Sequence, residues 1–205
     1  MPHFPSANQG PNTNPAPHAS RRRSSKRIRL PGRWKTALGE RVYAIVYSSK
    51  TGNTAQLANY IRDFYIDEEC VYFGHPNYDE IKADIIFVGF WTDKGVCDES
   101  VQTFLKSLHQ QKIFLFGTAG FGGSQAYFEA ILNRNKAFID ESNLVVGTYM
   151  CQGKMPIAVK RRYQELAKKD PQKFNPMIEN FDHALSHPDL KDFQSLSETL
   201  KSTPI

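Results

Sequence analysis

The stretch Asp84-Ile85-Ile86-Phe87-Val88-Gly89-Phe90 restricts the fold of this chain more than any other part of it. Its apolar run is far shorter than the roughly 20 residues of a membrane span, and it lacks the alternation of a strand with one wet face. An unbroken apolar run of strand length belongs to a strand covered on both sides, as at the centre of a parallel sheet. Val42–Tyr47, Lys112–Gly117 and Leu144–Cys151 are runs of the same kind, and Glu69–Gly74 is a shorter one. Between them the apolar residues take helical spacing, as in Leu57, Ala58, Ile61, Phe64, Tyr65 and in Val101, Phe104, Leu105, Leu108. This alternation predicts an α/β fold with a parallel sheet. The expected strands are 42–47, 69–74, 84–90, 112–117 and 144–151. Helices are expected at 54–65, about 99–108, about 125–135, near 157–168 and at 189–201.

Charge divides the chain in two. Residues 1–40 carry eight Lys/Arg against one Glu, +7, whereas residues 41–205 carry 18 basic and 20 acidic residues, −2. The first segment holds Pro2, Pro5, Pro11, Pro15, Pro17 and Pro31 and then Arg21-Arg22-Arg23-Ser24-Ser25-Lys26-Arg27-Ile28-Arg29. It is too poor in apolar surface to offset its ordering entropy, so residues 1–40 are expected to form a disordered tail and 41–205 the folded domain. The tail reads as a basic arm for nucleic acid or an anionic surface, as a mitochondrial-type targeting segment, or as a non-functional leader. Binding of nucleic acid would rest on the tail alone. Neither a membrane span nor the apolar segment of a secretory signal is visible, which makes the cytoplasm the default location. Cys70, Cys97 and Cys151 have no close pairing and read as free thiols.

The turn after the first strand is the most chemically specific element. In Ser48-Ser49-Lys50-Thr51-Gly52-Asn53-Thr54, the five uncharged side chains Ser48, Ser49, Thr51, Asn53 and Thr54 can donate hydrogen bonds, and Gly52 permits φ > 0 or close approach to an anion. The turn empties into a helix whose free N–H groups and positive dipole end face the same anion. It has neither the Gly-Lys-Ser/Thr of a P-loop nor a Gly-x-Gly-x-x-Gly fingerprint, which points to one phosphate monoester. Ser49-Lys50-Thr51-Gly52-Asn53-Thr54 resembles the flavodoxin phosphate loop Thr/Ser-x-Thr-Gly-Asn-Thr at the expected place after the first strand. The resemblance implies an FMN-binding domain. It also implies a flavodoxin-like three-layer sandwich: a five-stranded parallel sheet in the order 2-1-3-4-5, with helices on both faces and the ligand at the carboxyl ends of the strands.

In that order the exits of the third and fourth strands converge on the same rim. The third is followed by Trp91-Thr92-Asp93-Lys94-Gly95-Val96-Cys97-Asp98. Trp91 can stack on a flat ring, and Gly95 tolerates both signs of φ, so a peptide there can reorient toward the flavin N5 as the resemblance implies. Alternatively, Trp91 caps the core. The fourth strand runs into Gly117-Thr118-Ala119-Gly120-Phe121-Gly122-Gly123-Ser124, stripped of side chains so that backbone N–H groups can approach a ligand. The resemblance makes this the third flavin loop, with Phe121 or Tyr127 as a second stacking aromatic. The cofactor-binding set is therefore Ser48 to Thr54, Trp91 to Gly95 (Trp91, Thr92, Asp93, Lys94, Gly95) and Thr118, Ala119, Gly120, Phe121, Gly122, Gly123.

No catalytic acid, base or nucleophile can be nominated, and the six histidines show no metal-ligand spacing. Lys94 either tunes a reduced flavin or is simply solvated. Cys97 reads as a plain small side chain. Lys160-Arg161-Arg162 with Lys168-Lys169 is a solvated helix face, or a dock for an acidic partner or a nicotinamide phosphate. The resemblance implies an electron carrier that binds FMN non-covalently and passes electrons from a reductase to an acceptor enzyme, docking these redox partner proteins transiently. The alternatives are an FMN-dependent NAD(P)H:quinone-type oxidoreductase on the same scaffold and a non-redox interaction module that kept the fold.

Overall fold

The computed structural model describes residues 41–77, 81–122 and 124–203. The expected tail, residues 1–40, and Gly123 lie outside the described residues.

The elements run β1 (Val42–Tyr47), α1 (Asn53–Phe64), β2 (Glu69–Gly74), β3 (Ile85–Asp93), β4 (Val96–Cys97), α2 (Glu99–Ser107), β5 (Lys112–Ala119), α3 (Gln125–Lys136), β6 (Leu144–Gln152), α4 (Ile157–Ala167), α5 (Pro171–Ala184) and α6 (Leu190–Lys201). Five strands form a parallel sheet in the order β2-β1-β3-β5-β6, the expected order 2-1-3-4-5 in sequence of appearance. The sixth, β4, is a two-residue strand antiparallel to the end of β3.

Side chains alternate across the sheet and build two cores. Ala44, Val46, Ile86, Val88 and Leu115 pack with Val101, Phe104 and Leu105 of α2 and Ile131 and Leu132 of α3. On the opposite face Tyr43, Ile45, Phe87, Phe114 and Phe116 pack with Leu57, Ala58 and Ile61 of α1 and Leu196 and Leu200 of α6. Because β3 is buried on both faces from Ile85 to Phe90, it can only be a central strand. Register then aligns the strand ends: Tyr47 lies beside Gly89, Trp91 beside Thr118 and Ala119 beside Gln152. The exits of β1, β3, β5 and β6 therefore open on one rim.

Two departures from expectation concern that rim. Strand β3 runs three residues beyond Phe90, so Trp91, Thr92 and Asp93 belong to a strand instead of a loop. The cause is a hairpin: Asp93 pairs with Val96 across Lys94 and Gly95, whose φ angles of 50° and 90° are the positive pair that a tight two-residue turn between antiparallel strands demands. Likewise β5 extends through Thr118 and Ala119, carried by its pairing with β6. The second departure is α5, a helix where the sequence reading names no element. Its start is signalled by Asp170, whose carboxylate caps the Lys173 N–H at 3.1 Å, followed by Pro171 at the first helical position. Helix α4 has no buried residue, and α5 buries only Phe181 and Ala184, so the two form an arm that packs mainly on itself. No helix among the described residues is long and apolar enough to cross a membrane.

Candidate functional site

The rim encloses a cleft of about 840 Å³. Its first wall begins at the turn between β1 and α1. Gly52 is the N-cap of α1 at φ 86°, a conformation natural to glycine, and so brings no capping side chain to the helix N-terminus. A Cβ built there would meet nothing within 4 Å, so space is left open in front of the helix end. Ser49 Oγ accepts a hydrogen bond from the Ala55 N–H at 3.2 Å, and the Ser48 N–H is tied to the Gly89 carbonyl at 3.0 Å. Asn53 is 4% exposed and donates from Nδ2 to Thr51 Oγ1 at 2.8 Å and to the Lys154 carbonyl at 2.9 Å. Its Oδ1 is buried without a protein partner. An unmet buried acceptor costs about 1–3 kcal/mol unless a donor from outside reaches it.

The second and third loops are tied to the first by threonines. Thr54 and Thr118 share a hydroxyl–hydroxyl hydrogen bond at 3.0 Å, both nearly inaccessible, and Thr92 Oγ1 donates to the Thr118 carbonyl at 2.9 Å. Thr118 thus joins all three exits. Trp91 is half-buried and presents its ring to Lys50, whose Nζ lies 4.7 Å from the ring centroid. Arg134 of α3 donates from Nε to the Gly95 carbonyl at 2.9 Å, holding the hairpin tip against the helix.

Of the sequence-derived set, Lys50, Thr51, Asn53, Trp91, Thr92, Asp93, Lys94, Gly95, Thr118, Ala119, Gly120 and Phe121 line the cleft. Ser48, Ser49, Gly52, Thr54 and Gly122 are not part of that lining. Tyr127 lines it as well as Phe121 does, so both aromatics that the sequence left open are present. Burial pushes the Tyr127 phenol up, with the Arg134 charge working against it.

The wall formed by the arm was not anticipated. Gly153, Lys154, Met155 and Pro156 lead out of β6, and Val159, Arg162, Tyr163 and Leu166 follow at i, i+3, i+4, i+7, one face of α4. Lys173, Phe174 and Met177 of α5 complete it. The apolar spacing on α4 was the available signal, masked by the five cations that surround it in the sequence. Gly153 has a steric reason: a Cβ there would fall 2.4 Å from Asn53 Nδ2. Asn180 of α5 and Gln152 of β6 both donate to the Gly120 carbonyl at 3.1 Å, anchoring the third loop to the arm.

Two other groups lie away from the cleft chemistry. Cys97 is buried, and burial with the nearby Asp98 pushes its thiol up to about 12, opposite to a reactive thiolate. His187, Asp189 and Asp192 come within 4.8 Å of one another, although no histidine spacing in the sequence suggested a cluster. Chain reversal into α6 brings them together: Asp189 is the N-cap, Asp192 returns the bond as a capping box, and His187 Nδ1 lies 2.6 Å from Asp192 Oδ2.

Residues 44–201 match the flavodoxin domain. A flavodoxin-like domain-containing protein BilS of Clostridium symbiosum (strain WAL-14163) is 38% identical over 180 residues, spanning 78% of this chain and 95% of the relative. A protein of the same description from Clostridioides difficile (strain CD3) is 33% identical over 172 residues, with the same shares covered. Among solved structures, a flavodoxin of Streptococcus pneumoniae TIGR4 superposes with a TM-score of 0.52 at 15% identity, over 79% of this chain and 97% of that one. A short-chain flavodoxin associated with a PDU bacterial microcompartment gives 0.50 at 16% identity, over 80% and 96%.

Proposed function

This chain belongs to the flavodoxin family, whose cofactor is FMN, and from that premise we propose that its cleft holds FMN non-covalently and that the protein carries electrons from a reductase to an acceptor enzyme. The observation that carries the reading is the α1 N-terminus, which Gly52 leaves without a capping side chain, with Asn53 Oδ1 buried and unmet beside it. That combination fits a phosphate ester: free helix N–H groups and the hydroxyl of Thr51 donate to an anion, while the carbonyl of Asn53 remains to accept from a hydroxyl of the same ligand. Lys50 adds positive charge at that end. Trp91 flanks the ring on one side, and Phe121 and Tyr127 are the candidates for the other. The shared bonds of Thr54, Thr92 and Thr118 hold the three loops in one geometry before any ligand arrives, which lowers the ordering cost of binding.

Bound FMN supplies one- and two-electron chemistry. The chain's part is to hold, orient and shield it. The hairpin tip offers two carbonyls, and that of Gly95 is already engaged by Arg134, which leaves the Lys94 carbonyl as the acceptor for a proton at the ring edge. Docking of the redox partners at the open rim and residence in the cytoplasm belong to the same proposal.

The test is a visible spectrum of the full chain as purified, followed by FMN titration of the apoprotein. A flavin spectrum and saturable binding are expected, with Thr51→Ala and Asn53→Ala each weakening the affinity by about 1–3 kcal/mol. Failure to take up FMN, or an affinity in both variants unchanged from the wild-type chain, would overturn the site.

A further inference from the structure

The charge of the folded residues is not spread evenly. From Lys154 to the end of α5 at Ala184 the chain holds seven basic residues against four acidic, +3, while the rest of residues 41–205 holds eleven against sixteen, −5. The body is thus acidic, and the arm is basic. Within the arm, Lys160 is paired with Asp182 and Lys168 with Glu165. Lys154, Arg161, Arg162, Lys169 and Lys173 are exposed and meet no carboxylate among the described residues. Three of these, Lys154, Arg162 and Lys173, line the cleft, joined from the opposite wall by Lys50 and Lys94, and the single carboxylate of the lining is Asp93.

A phosphate dianion at the α1 end accounts for two of these charges. The remaining cations sit where a second reactant must approach, and those on Arg161 and Lys169 lie outside the cleft lining altogether. Small molecules held in the cleft would not use them. A surface does.

We propose that the α4–α5 arm is an electrostatic dock for the acidic face of a redox partner protein, steering that face to the open edge of the cleft. The inference rests on the FMN reading of the cleft. Within residues 41–205 a +3 arm on a −5 body makes a dipole that turns the cleft toward a negative partner and away from a positive one, and such steering raises association rates by about 10 to 1,000-fold at low salt. The apolar face of α4, with Val159, Tyr163 and Leu166, supplies contact once the partner has arrived.

The experiment uses the full chain, with and without FMN, and two probes that differ in charge: native cytochrome c, which is basic, and succinylated cytochrome c, which is acidic. Association with each is followed by surface plasmon resonance from about 20 to about 300 mM salt, across which surface charges become screened. The acidic probe is expected to bind about tenfold or more faster at the low-salt end and to lose that advantage at the high end. In a double variant, Arg161→Glu and Lys169→Glu, both outside the cleft lining, the preference should be lost while FMN affinity and thermal unfolding are retained. A milder double variant to Gln should show an intermediate loss.

Electron transfer adds a second readout. After reduction of the loaded protein with dithionite, one electron passes to each ferric haem. The Glu variant should slow transfer to the acidic cytochrome about tenfold or more and leave the rate to a small neutral quinone unchanged. Preference for native cytochrome c in the wild-type chain, or charge reversal without effect, would overturn the proposal. So would displacement of the acidic cytochrome by NADPH together with bleaching of the flavin by NADPH alone, which would assign the arm to a small anion. Absence of flavin uptake with the charge preference intact would fell the cofactor reading and leave the dock standing.

Discussion

The two walls of the cleft are built on opposite principles. The β1–α1 wall is part of the core: Leu57, Ala58 and Ile61 are fully buried against Tyr43, Ile45 and Phe87, and the ligand-facing turn is fixed by hydrogen bonds between Thr54, Thr118, Asn53 and Thr51. The α4–α5 wall buries nothing through α4 and is anchored by Phe181, Ala184 and a few polar contacts such as Asn180 to Gly120. Each fully buried Leu or Ile contributes about 1.5–3 kcal/mol, so stability is concentrated on the first wall. On the proposed reading the difference separates two tasks: a phosphate would be bound by groups held in place beforehand, whereas a macromolecular partner would be met by exposed charge that need not be rigid.

That contrast can be broken by substitution. Leu57→Ala should cost about 2–5 kcal/mol of unfolding free energy, measured by urea denaturation, because it opens a cavity in the core shared by α1 and the sheet. A loss under 1 kcal/mol would show that α1 is as loosely docked as the arm. Gly153→Ala tests the seam between the walls. Its Cβ would press on Asn53, and we expect a loss of about 1–3 kcal/mol in stability together with weaker FMN binding.

Alkaline pH probes the core by another route. In the folded chain the Cys97 thiol is pushed from 9.0 up to about 12 by burial, and Tyr65 from 10.0 up to about 12. The unfolded chain gives up these protons first, so folding stability is intact below about pH 9 and falls progressively as pH rises toward about 12. Cys97→Ala should flatten that slope, and an unchanged slope would show that the thiol is not shielded. The smallest effects belong to the arm. Ile157→Ala and Lys168→Ala, both at exposed positions, should change unfolding free energy by less than about 0.5 kcal/mol. Amides of α4 should also exchange with solvent well before those of β1, β3 and β5.

Much of the fold was legible because its signals are local. Apolar runs of strand length and helical spacing located every strand of the parallel sheet, and the Ser/Thr/Gly/Asn turn after Tyr47 marked one wall of the cleft. The hairpin at Asp93–Val96 escaped because strand β4 is two residues long, below the length at which periodicity can be read. Helix α4 was legible near 157–168, but its place at the cleft and the whole of α5 escaped: Val159, Tyr163 and Leu166 are diluted by Lys160, Arg161 and Arg162, and α5 carries Pro176 in its interior.

Side-chain chemistry along the chain determined by itself that a buried parallel sheet would form and that the turn at the end of its first strand would suit an anion. Burial is a property of each run of residues, and a helix N-terminus attracts negative charge wherever it lies. Only tertiary structure decided which residues face that turn and what surrounds it. Register brought Thr54 to Thr118, Asn53 to Lys154 and Gly153, and five cations from distant segments onto one cleft. Those meetings join residues 64 and 101 positions apart, and nothing in the neighbourhood of either partner announces the other.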